Sequence, residues 1–392
     1  MLCMRYQELF GKRQNKNIDQ VYICNNVQLK YIFCINFSKI LEKRKGGLNY
    51  SHFCVIMNMN NYRGNYKCIL IDCRFMKKIE SQFNSKLLVY VTSDRRGLET
   101  QIAQDVIDLF IEHLDTIGVV PKISLYLYTR GGDTAAAWNI INLIKMYCDE
   151  LEVIIPHKAH SAGTLISIGA NRIIMTKQAT LGPIDPSINT PLNPVVNNGP
   201  NYPVSVEAVK GYIALAKEEL NVDNDAALAD ILIKLSEKVH PLVLGQVYRT
   251  RAQIQMLAKK LLPAQVSNPE KVDEIINFLC SDSGSHDYTI NRREAKETLG
   301  LNVEKPTDEQ YQIIKEIYDD ISSELELGTV FDPRTLSGNY TLRRGIIESA
   351  TGGSDMFVSE GSTKRVQAPN GQIQIVDERI FEGWRHEESG NC

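Results

Sequence analysis

The chain has 392 residues, with 44 lysines and arginines against 47 aspartates and glutamates, and a formal net charge of −3. This length allows one large or two ordinary domains, and the 43% apolar and 23% charged contents are typical of a protein with a folded core. The charge balance gives no indication of binding to nucleic acid or to an anionic membrane. No stretch reaches the roughly 18–20 apolar residues of a membrane span, and no secretory signal is evident, so we expect a cytoplasmic protein without a transmembrane segment.

Nine cysteines are spread unevenly along the chain, and six of them precede residue 76. None forms a C-x-x-C pair, so the sequence predicts neither a zinc site nor a redox motif, and we expect no metal. The odd total also argues against a disulfide framework.

Residues 1–75 differ in pattern from the rest of the chain. They are rich in Asn, Tyr and Cys and keep neither a helical nor a strand period. At Met76 the sequence changes to "MKKIESQFNSKLLVYVTSDRRG", which is typical of a protein start followed by a strand. We predict that Met76 is the functional start and that residues 1–75 are an extension outside the fold; the alternative is a small accessory domain.

Residues 76–328 are predicted to form the main domain, in which strands and helices alternate. The strands are "KLLVYVT", "KISLYLYT", "LEVIIP" and "NRIIMT", and the helices between them are "LETQIAQDVIDLFIEHLD", "GGDTAAAWNIINLIKMY" and "SAGTLISIGA". This alternation predicts an α/β fold with crossover units and a mainly parallel sheet.

The second half of the chain is predicted to be helical and then irregular. After the loop "LGPIDPSINTPLNPVVNNGPNYP", a helical segment spans about 205–280, and "SHDYTINRREAKETLGL" follows it. Residues 329–392 are rich in Gly, Ser and Thr and are interpreted as a C-terminal tail with a possible hairpin around Asn370-Gly371.

Gly131-Gly132 stand where a predicted strand ends and a helix begins. Glycines there let backbone amides face a ligand, and such a turn can form one side of an oxyanion hole. The alternative is a tight turn that simply excludes side chains.

Ser161 lies in the turn "HSAGT", also between a strand and a helix. A serine in this position is often only an N-cap that bonds the free amides of the first turn. Ala162 and Gly163 leave open space around the hydroxyl, which favours a nucleophile, with the amide of Ala162 as an oxyanion donor. The arrangement resembles the nucleophile elbow of hydrolases.

A nucleophilic serine needs a base, which is usually a histidine oriented by a carboxylate or a desolvated lysine. His286 stands beside Asp287, and Asp185 lies in a loop stiffened by prolines. We interpret His160 as structural, since adjacent side chains on a turn diverge. His240 is open to both interpretations, as a base or as an ordinary helical residue.

Three motifs, "YTRGGDTAAA", "PHKAHSAGTLISIGANRIIMTKQATLGPIDP" and "SHDYTINRREAKETLGL", resemble the Clp-protease/crotonase superfamily and, more narrowly, the serine dehydrogenase proteinase family. The similarity covers roughly residues 86–305. It implies a spiral of strand–helix units with an added helical segment over the active site. It also implies a polypeptide substrate, assembly into a homo-oligomer and no cofactor.

The resemblance also implies roles for single residues. Ser161 falls at the position of the nucleophile, with Gly131 and Ala162 at the oxyanion donors. The order Ser…Asp…His of the family then gives a catalytic set that consists of Ser161, Asp185 and His286.

Three other residues stay open as catalytic alternatives. They are His240 as the base, Asp287 as the carboxylate and Lys210 as the lysine of a Ser–Lys dyad. Lys210 has the alternative interpretation of a solvated surface residue.

Two other functional classes also stay open. A crotonase-type acyl-CoA enzyme would use the same paired amides without a covalent serine, but it would need a basic pocket for phosphates, and no clustered Lys/Arg run marks one. A non-catalytic scaffold would keep the fold without a productive base.

Overall fold

The structure is a computed structural model that describes residues 30–34, 54–58, 73–184, 187–195, 199–282, 287–367 and 373–387. The chain divides into two units, Met1–Tyr66 and Lys67–Cys392. In the first unit, β1 (Lys30–Cys34) and β2 (Cys54–Asn58) form an antiparallel pair. Most of the predicted extension, residues 1–75, lies outside the described residues.

The second unit holds all the other helices and strands that the structure describes. Its helices are α1 (Cys73–Phe83), α2 (Ile107–Ile117), α3 (Thr134–Lys145), α4 (Ala162–Gly169), α5 (Val206–Ala214), α6 (Asp225–Ser236), α7 (Pro241–Leu261), α8 (Pro269–Asn277) and α9 (Asp308–Glu324). Short 3-10 turns occur at Gln104–Val106, Leu262–Ala264 and Pro333–Thr335, and π-helical turns at Leu215–Glu219, Phe278–Asp282 and Glu294–Thr298.

The strands of this unit are β3 (Lys86–Thr92), β4 (Val120–Tyr128), β5 (Cys148–Ile155), β6 (Lys158–Ala159), β7 (Arg172–Met175), β8 (Thr180–Leu181), β9 (Ser187–Ile188), β10 (Val204–Ser205), β11 (Ile290–Asn291), β12 (Val303–Glu304), β13 (Gly338–Ser349), β14 (Gly353–Gln367) and β15 (Ile373–Glu387). Eight of them form one sheet in the order β12-β7-β5-β4-β3-β13-β14-β15. The first five strands are parallel and the last three pair antiparallel. The predicted α/β class and the parallel crossover units are confirmed.

The central strands are apolar because helices cover both of their faces. In β3, Leu88 and Tyr90 pack into a core that includes α2, α3 and α4. Leu87, Val89 and Val91 on the opposite face pack into a second core, which includes α1 and α9. A strand that is buried on both faces therefore has a continuous run of apolar residues in its sequence.

One charged residue lies within this apolar sheet. Glu152 on β5 is fully buried, and its carboxylate accepts a hydrogen bond from the Ser124 hydroxyl on β4. Lys122 Nζ lies 3.0 Å from it, and an Arg172 guanidinium nitrogen on β7 lies 2.7 Å from it. Two cations from the neighbouring strands thus neutralise the carboxylate. Without them, burial of its charge would destabilise the folded state.

The C-terminal segment extends the sheet instead of standing apart as a tail. β13 pairs with β3, from Gly345 opposite Thr92 to Ser349 opposite Leu88, and β14 pairs along both β13 and β15. Composition alone misses this because sheet pairing is satisfied by backbone groups, which Gly, Ser and Thr provide like any other residue. The predicted turn at Asn370-Gly371 lies outside the described residues.

The predicted helical segment over about 205–280 is present as α5 to α8. Within it, α6 has no buried residue although it carries several Leu and Ile side chains. In the part of the chain that the structure describes, no helix has both the length and the apolar character needed to cross a membrane.

Candidate active site

Ser161 lies between β6 and α4, in a backbone conformation that is rare for a residue with a side chain. Its φ is 52° and its ψ is −115°. Such conformations cost about 1–3 kcal/mol and are maintained only where the surrounding structure enforces them. The enforcement here comes from α4, all eight residues of which are buried, so the helix start cannot shift.

The hydroxyl of Ser161 is not used as a helix cap. Ser161 occupies the N-cap position of α4, yet its side chain makes no capping hydrogen bond. The N-cap interpretation of this serine is therefore wrong for this structure. A partly exposed hydroxyl at the start of a buried helix is available for chemistry.

The Gly131-Gly132 turn lies directly against Ser161. A Cβ atom at Gly131, where φ is 113°, would lie 2.7 Å from the Cβ atom of Ser161 and 3.2 Å from the amide nitrogen of Ala162. A Cβ atom at Gly132, where φ is 148°, would lie 2.3 Å from the carbonyl oxygen of Ile102. The turn does exclude side chains: Gly131 keeps free the space beside Ser161, and Gly132 keeps free the space beside Ile102.

The amide of Gly131 already has a partner inside this turn. It donates to Thr129 Oγ1 at 2.9 Å, and the carbonyl of Gly131 accepts from the amide of Ile102 at 2.9 Å. Thr129 is itself buried and its hydroxyl lies 2.7 Å from Thr92 Oγ1. The turn is thus fixed on both sides, by a neighbouring side chain and by the segment before α2.

A cavity of about 240 Å³ opens at Ser161. The residues that line it are mostly polar or charged: Asp94, Arg130, Lys158, His160, Ser161, Pro183 and Asp287. Of the residues predicted from the sequence, Ser161 and Asp287 are therefore brought to one place. A larger groove of about 610 Å³ lies between α1 and α9 and contains none of the predicted site residues.

Asp94, Arg130 and Lys158 were missed at the level of sequence. Asp94 follows β3 by two residues, Arg130 follows β4 by two residues, and Lys158 lies just beyond β5. Carboxyl ends of parallel strands meet at one edge of a sheet, which is where α/β proteins bind ligands. Charged residues directly after three predicted strands were the signal that could have indicated them.

Lys158 and Asp94 form an ion pair on one wall of the cavity. Lys158 Nζ donates to Asp94 Oδ2 at 2.6 Å, and the Tyr128 hydroxyl donates to Asp94 Oδ1 at 2.8 Å. Burial of the Tyr128 ring and the neighbouring Asp94 carboxylate together raise the pKa of Tyr128 well above its ordinary value. The tyrosine therefore stays a hydrogen-bond donor, and this wall is held rigid.

His160 lines the cavity, and its ring is held in place by a hydrogen bond and by packing. Its Nε2 lies 2.9 Å from Thr180 Oγ1 on β8, and its ring packs against Gly182, where a Cβ atom would lie 3.1 Å from the ring Cγ atom. The structural interpretation of His160 accounts for its hydrogen bond but did not foresee its place beside Ser161.

Two of the alternative catalytic residues have other roles. His240 caps α7, because its Nδ1 accepts a hydrogen bond from the amide of Leu242 at 3.2 Å. Lys210 lies on α5 with 37% of its side chain exposed, 3.9 Å from Glu207. Neither is among the residues that line the cavity at Ser161.

The predicted Asp185 and His286 lie outside the described residues. Their neighbours in sequence are informative, because Pro183 and Asp287 both line the cavity. Among the described residues, no group of three or more His, Cys, Asp and Glu side chains is arranged to hold a metal ion.

Most of the chain matches a known family. Residues 53–330 match the family model of the ClpP-like SDH-type serine proteinases. The chain belongs to this family. The resemblance to serine dehydrogenase proteinases is confirmed, and so is the Clp-like α/β fold.

Two curated relatives come from Methanocaldococcus jannaschii, and both are uncharacterized proteins. MJ0137 is 32% identical over 210 residues, which are 53% of this chain and 63% of MJ0137. MJ1495 is 30% identical over 210 residues, which are 53% of this chain and 61% of MJ1495. The matched region spans less than two thirds of either relative.

Solved structures of proteases are also similar to this chain. The membrane-bound stomatin-specific protease 1510-N is 18% identical, with coverage of 59% of this chain and 85% of that protein and a TM-score of 0.32. ClpP1 from Listeria monocytogenes is 15% identical, with coverage of 60% of this chain and 97% of that protein and a TM-score of 0.31.

Proposed function

We propose that the protein is a serine endopeptidase in which Ser161 attacks the scissile carbonyl and forms an acyl-enzyme. The observation that carries this proposal is the state of the Ser161 hydroxyl. It stands at the N-terminus of a buried helix, in a strained backbone conformation and facing a cavity, without making a capping bond. Membership of a serine proteinase family supports a nucleophilic role for that hydroxyl.

The oxyanion hole in this proposal consists of amides from the glycine turn and from Ala162. In the resting arrangement the amide of Gly131 is paired with Thr129, so we assign the oxyanion to the amides of Gly132 and Ala162, with Gly131 holding the turn against Ser161. Loss of one such donor costs about 3–4 kcal/mol of transition-state stabilisation in comparable sites.

The proton of Ser161 passes to His286, which Asp185 orients. As the Ser161 oxygen bonds to the carbonyl carbon, His286 takes the hydroxyl proton and then gives it to the leaving amine as the C–N bond breaks. Water hydrolyses the ester by the same route in reverse. This assignment is supported by the flanking Pro183 and Asp287, which line the cavity at Ser161. Asp287 is the alternative carboxylate.

Labelling with a fluorophosphonate probe tests the proposal. The matched control is Ser205→Ala, because Ser205 is another helix N-cap serine and its hydroxyl does accept a bond, from the amide of Ala208. We expect labelling of the wild type and of Ser205→Ala and none of Ser161→Ala. A folded wild-type protein that takes no label would contradict the proposal.

The same assay identifies the base. We expect His286→Ala to lose labelling, whereas His240→Ala and Lys210→Ala keep it, because His240 and Lys210 have structural partners elsewhere. His160→Ala and Lys158→Met complete the panel, since both residues line the cavity. Loss of labelling only in Lys158→Met would show that the base is Lys158 and not a histidine.

Two further parts of the proposal concern other classes and partners. An acyl-CoA enzyme would retain much activity in Ser161→Ala, and a scaffold would lose none of its binding. The variant therefore separates all three classes.

We also propose that the protein is cytoplasmic and that it forms a homo-oligomer. The exposed apolar side chains of α6 support the homo-oligomer.

A further inference from the structure

We propose that Arg130 binds a carboxylate of the substrate, so that this peptidase selects chains with an acidic residue close to the scissile bond. The inference rests on the proposed function, since it assigns a substrate class to the same cavity. Arg130 lies two residues after the end of β4 and directly before the Gly131-Gly132 turn, and its exposed side chain lines the cavity that holds Ser161.

The distribution of charges in the cavity singles out Arg130. The other cation of the lining, Lys158, is neutralised by Asp94 at 2.6 Å, and Tyr128 donates to the same carboxylate. Within the part of the chain that the structure describes, the guanidinium of Arg130 makes no ion pair or hydrogen bond. Among the described residues of the lining, which also include the carboxylate of Asp287, Arg130 is therefore a cation without an ion pair or hydrogen bond of its own, close to Ser161.

The chemistry of this cation favours a carboxylate ligand. A guanidinium offers a planar fork of N–H donors that matches the two oxygens of a carboxylate, and charge-assisted pairs of this kind are stronger than neutral hydrogen bonds. Apart from Pro183, the other residues of the lining are polar or charged, so an apolar side chain gains little there.

The position of Arg130 limits where the acidic residue stands in the substrate. Arg130 directly precedes Gly131, and a Cβ atom at Gly131 would lie 2.7 Å from that of Ser161. An extended peptide advances by about 3.3 Å per residue. A carboxylate within reach of Arg130 thus belongs to a residue within about two positions of the bond that is cleaved.

Peptide binding to the Ser161→Ala protein tests this inference without turnover. Fluorescent peptides that differ only by Glu, Gln or Lys at one position would be compared by anisotropy in the Ser161→Ala background, alone and with Arg130→Gln, Arg130→Lys or Arg130→Glu. The control is Arg96→Gln, which removes an exposed arginine that does not line the cavity.

We expect the Glu peptide to bind about tenfold more tightly than the Gln peptide, as is typical of a hydrogen bond to a charged group. Arg130→Gln should reduce this ratio to less than about twofold, Arg130→Lys should retain part of it, and Arg130→Glu should favour the Lys peptide. Arg96→Gln should leave the ratio unchanged.

Three outcomes would overturn the inference: no peptide binding, equal binding of the Glu and Gln peptides at every position, or a preference for Glu that survives Arg130→Gln. Failure of the proposed function is distinguishable, because it shows as a lack of fluorophosphonate labelling at Ser161 in the wild type. A labelled enzyme without acidic preference would overturn only the role of Arg130.

Discussion

Ser161 and Ser205 occupy the same position relative to their helices but use it differently. Ser205 has an ordinary extended conformation, with φ −71°, and its hydroxyl accepts a hydrogen bond from the amide of Ala208 at 3.2 Å. Ser161 has φ 52° and makes no such bond. The chain thus contains its own comparison between a helix-start serine that caps its helix and one that does not, and conformation, not residue type, separates them.

The first prediction at this scale concerns Gly131→Ala. At φ 113° the new side chain would be strained, and its Cβ atom would press on Ser161, so the Ser161 hydroxyl would be displaced. We expect labelling by the fluorophosphonate probe to slow about 100-fold, as is typical when a reactive group is misplaced by an ångström. The free energy of unfolding should fall by about 1–3 kcal/mol.

Gly118→Ala is the matched control for this prediction. Gly118 also has a positive φ, of 75°, but no atom lies within 4 Å of an added Cβ there. We expect a similar loss of stability in urea unfolding with an unchanged labelling rate. Labelling of Gly131→Ala at the wild-type rate would show that the turn does not position Ser161.

At the scale of elements, a buried polar cluster attaches the C-terminal strands to α2. His113 on α2 has its Nε2 3.0 Å from Asp355 Oδ2 on β14 and its Nδ1 2.8 Å from Ser349 Oγ on β13. His386 on β15 contacts the other oxygen of Asp355 at 3.1 Å. These residues repeat the types of a catalytic triad, but His113, Ser349 and Asp355 are at most 3% exposed, so the cluster is structural.

The ionisation of Asp355 links this cluster to pH. Burial raises its pKa, but the hydrogen bonds and charge interactions with His113 and His386 outweigh burial and hold the pKa below its ordinary value. A carboxylate with a depressed pKa in the folded state adds stability above the unfolded pKa of about 3.9, and this contribution is lost as the pH falls through the folded pKa.

We therefore expect Asp355→Asn to lower the free energy of unfolding at pH 7 by about 1–3 kcal/mol. Urea unfolding from pH 7 to pH 3 should show that the wild type loses more stability than the variant as the pH falls below about 4. Asp273→Asn is the control, because Asp273 pairs with Lys259 on the surface and should change stability by less than about 1 kcal/mol. Parallel pH curves for Asp355→Asn and the wild type would contradict the prediction.

At the scale of the whole molecule, the helical segment leaves apolar side chains in water. On α6, Leu232 is 52% and Ile233 is 57% exposed, and Leu242 and Tyr248 on α7 are 68% and 75% exposed. Clusters of large apolar side chains on a protein surface are typical of interaction sites. A second copy of the chain is the partner we propose for this segment.

This predicts that Ile233→Glu shifts the mass of the protein toward the monomer, because a charge would be buried in the interface. Size-exclusion chromatography with light scattering measures the change. Lys234→Glu, a change of charge at an exposed polar position of the same helix, should leave the oligomer intact. A wild type that is monomeric at all accessible concentrations would disprove the homo-oligomer.

The local pattern of the sequence was sufficient to predict the parallel strands and the proximity of Gly131 and Ser161 in the candidate site. Apolar runs buried on both faces predicted the parallel strands, and the small residues of two strand-to-helix turns predicted that Gly131 and Ser161 would meet. Both features depend on neighbours in sequence, which determine backbone conformation and periodicity. The interpretation of residues 329–392 as a tail failed because β13 finds its partner in β3, more than 240 residues earlier.

Only the tertiary structure decided which charged residues share the cavity. The three lining residues Asp94, Arg130 and Lys158 follow three different strands. Their places after predicted strands put them at one edge of a parallel sheet, but only the strand order brings β3, β4 and β5 side by side. The tertiary structure also explains Glu152. Its buried charge is stabilised because Lys122 and Arg172 lie on adjacent strands and pair with it. Strand order is determined by the burial of whole faces and by backbone pairing, so residues distant in sequence meet for reasons that no local pattern contains.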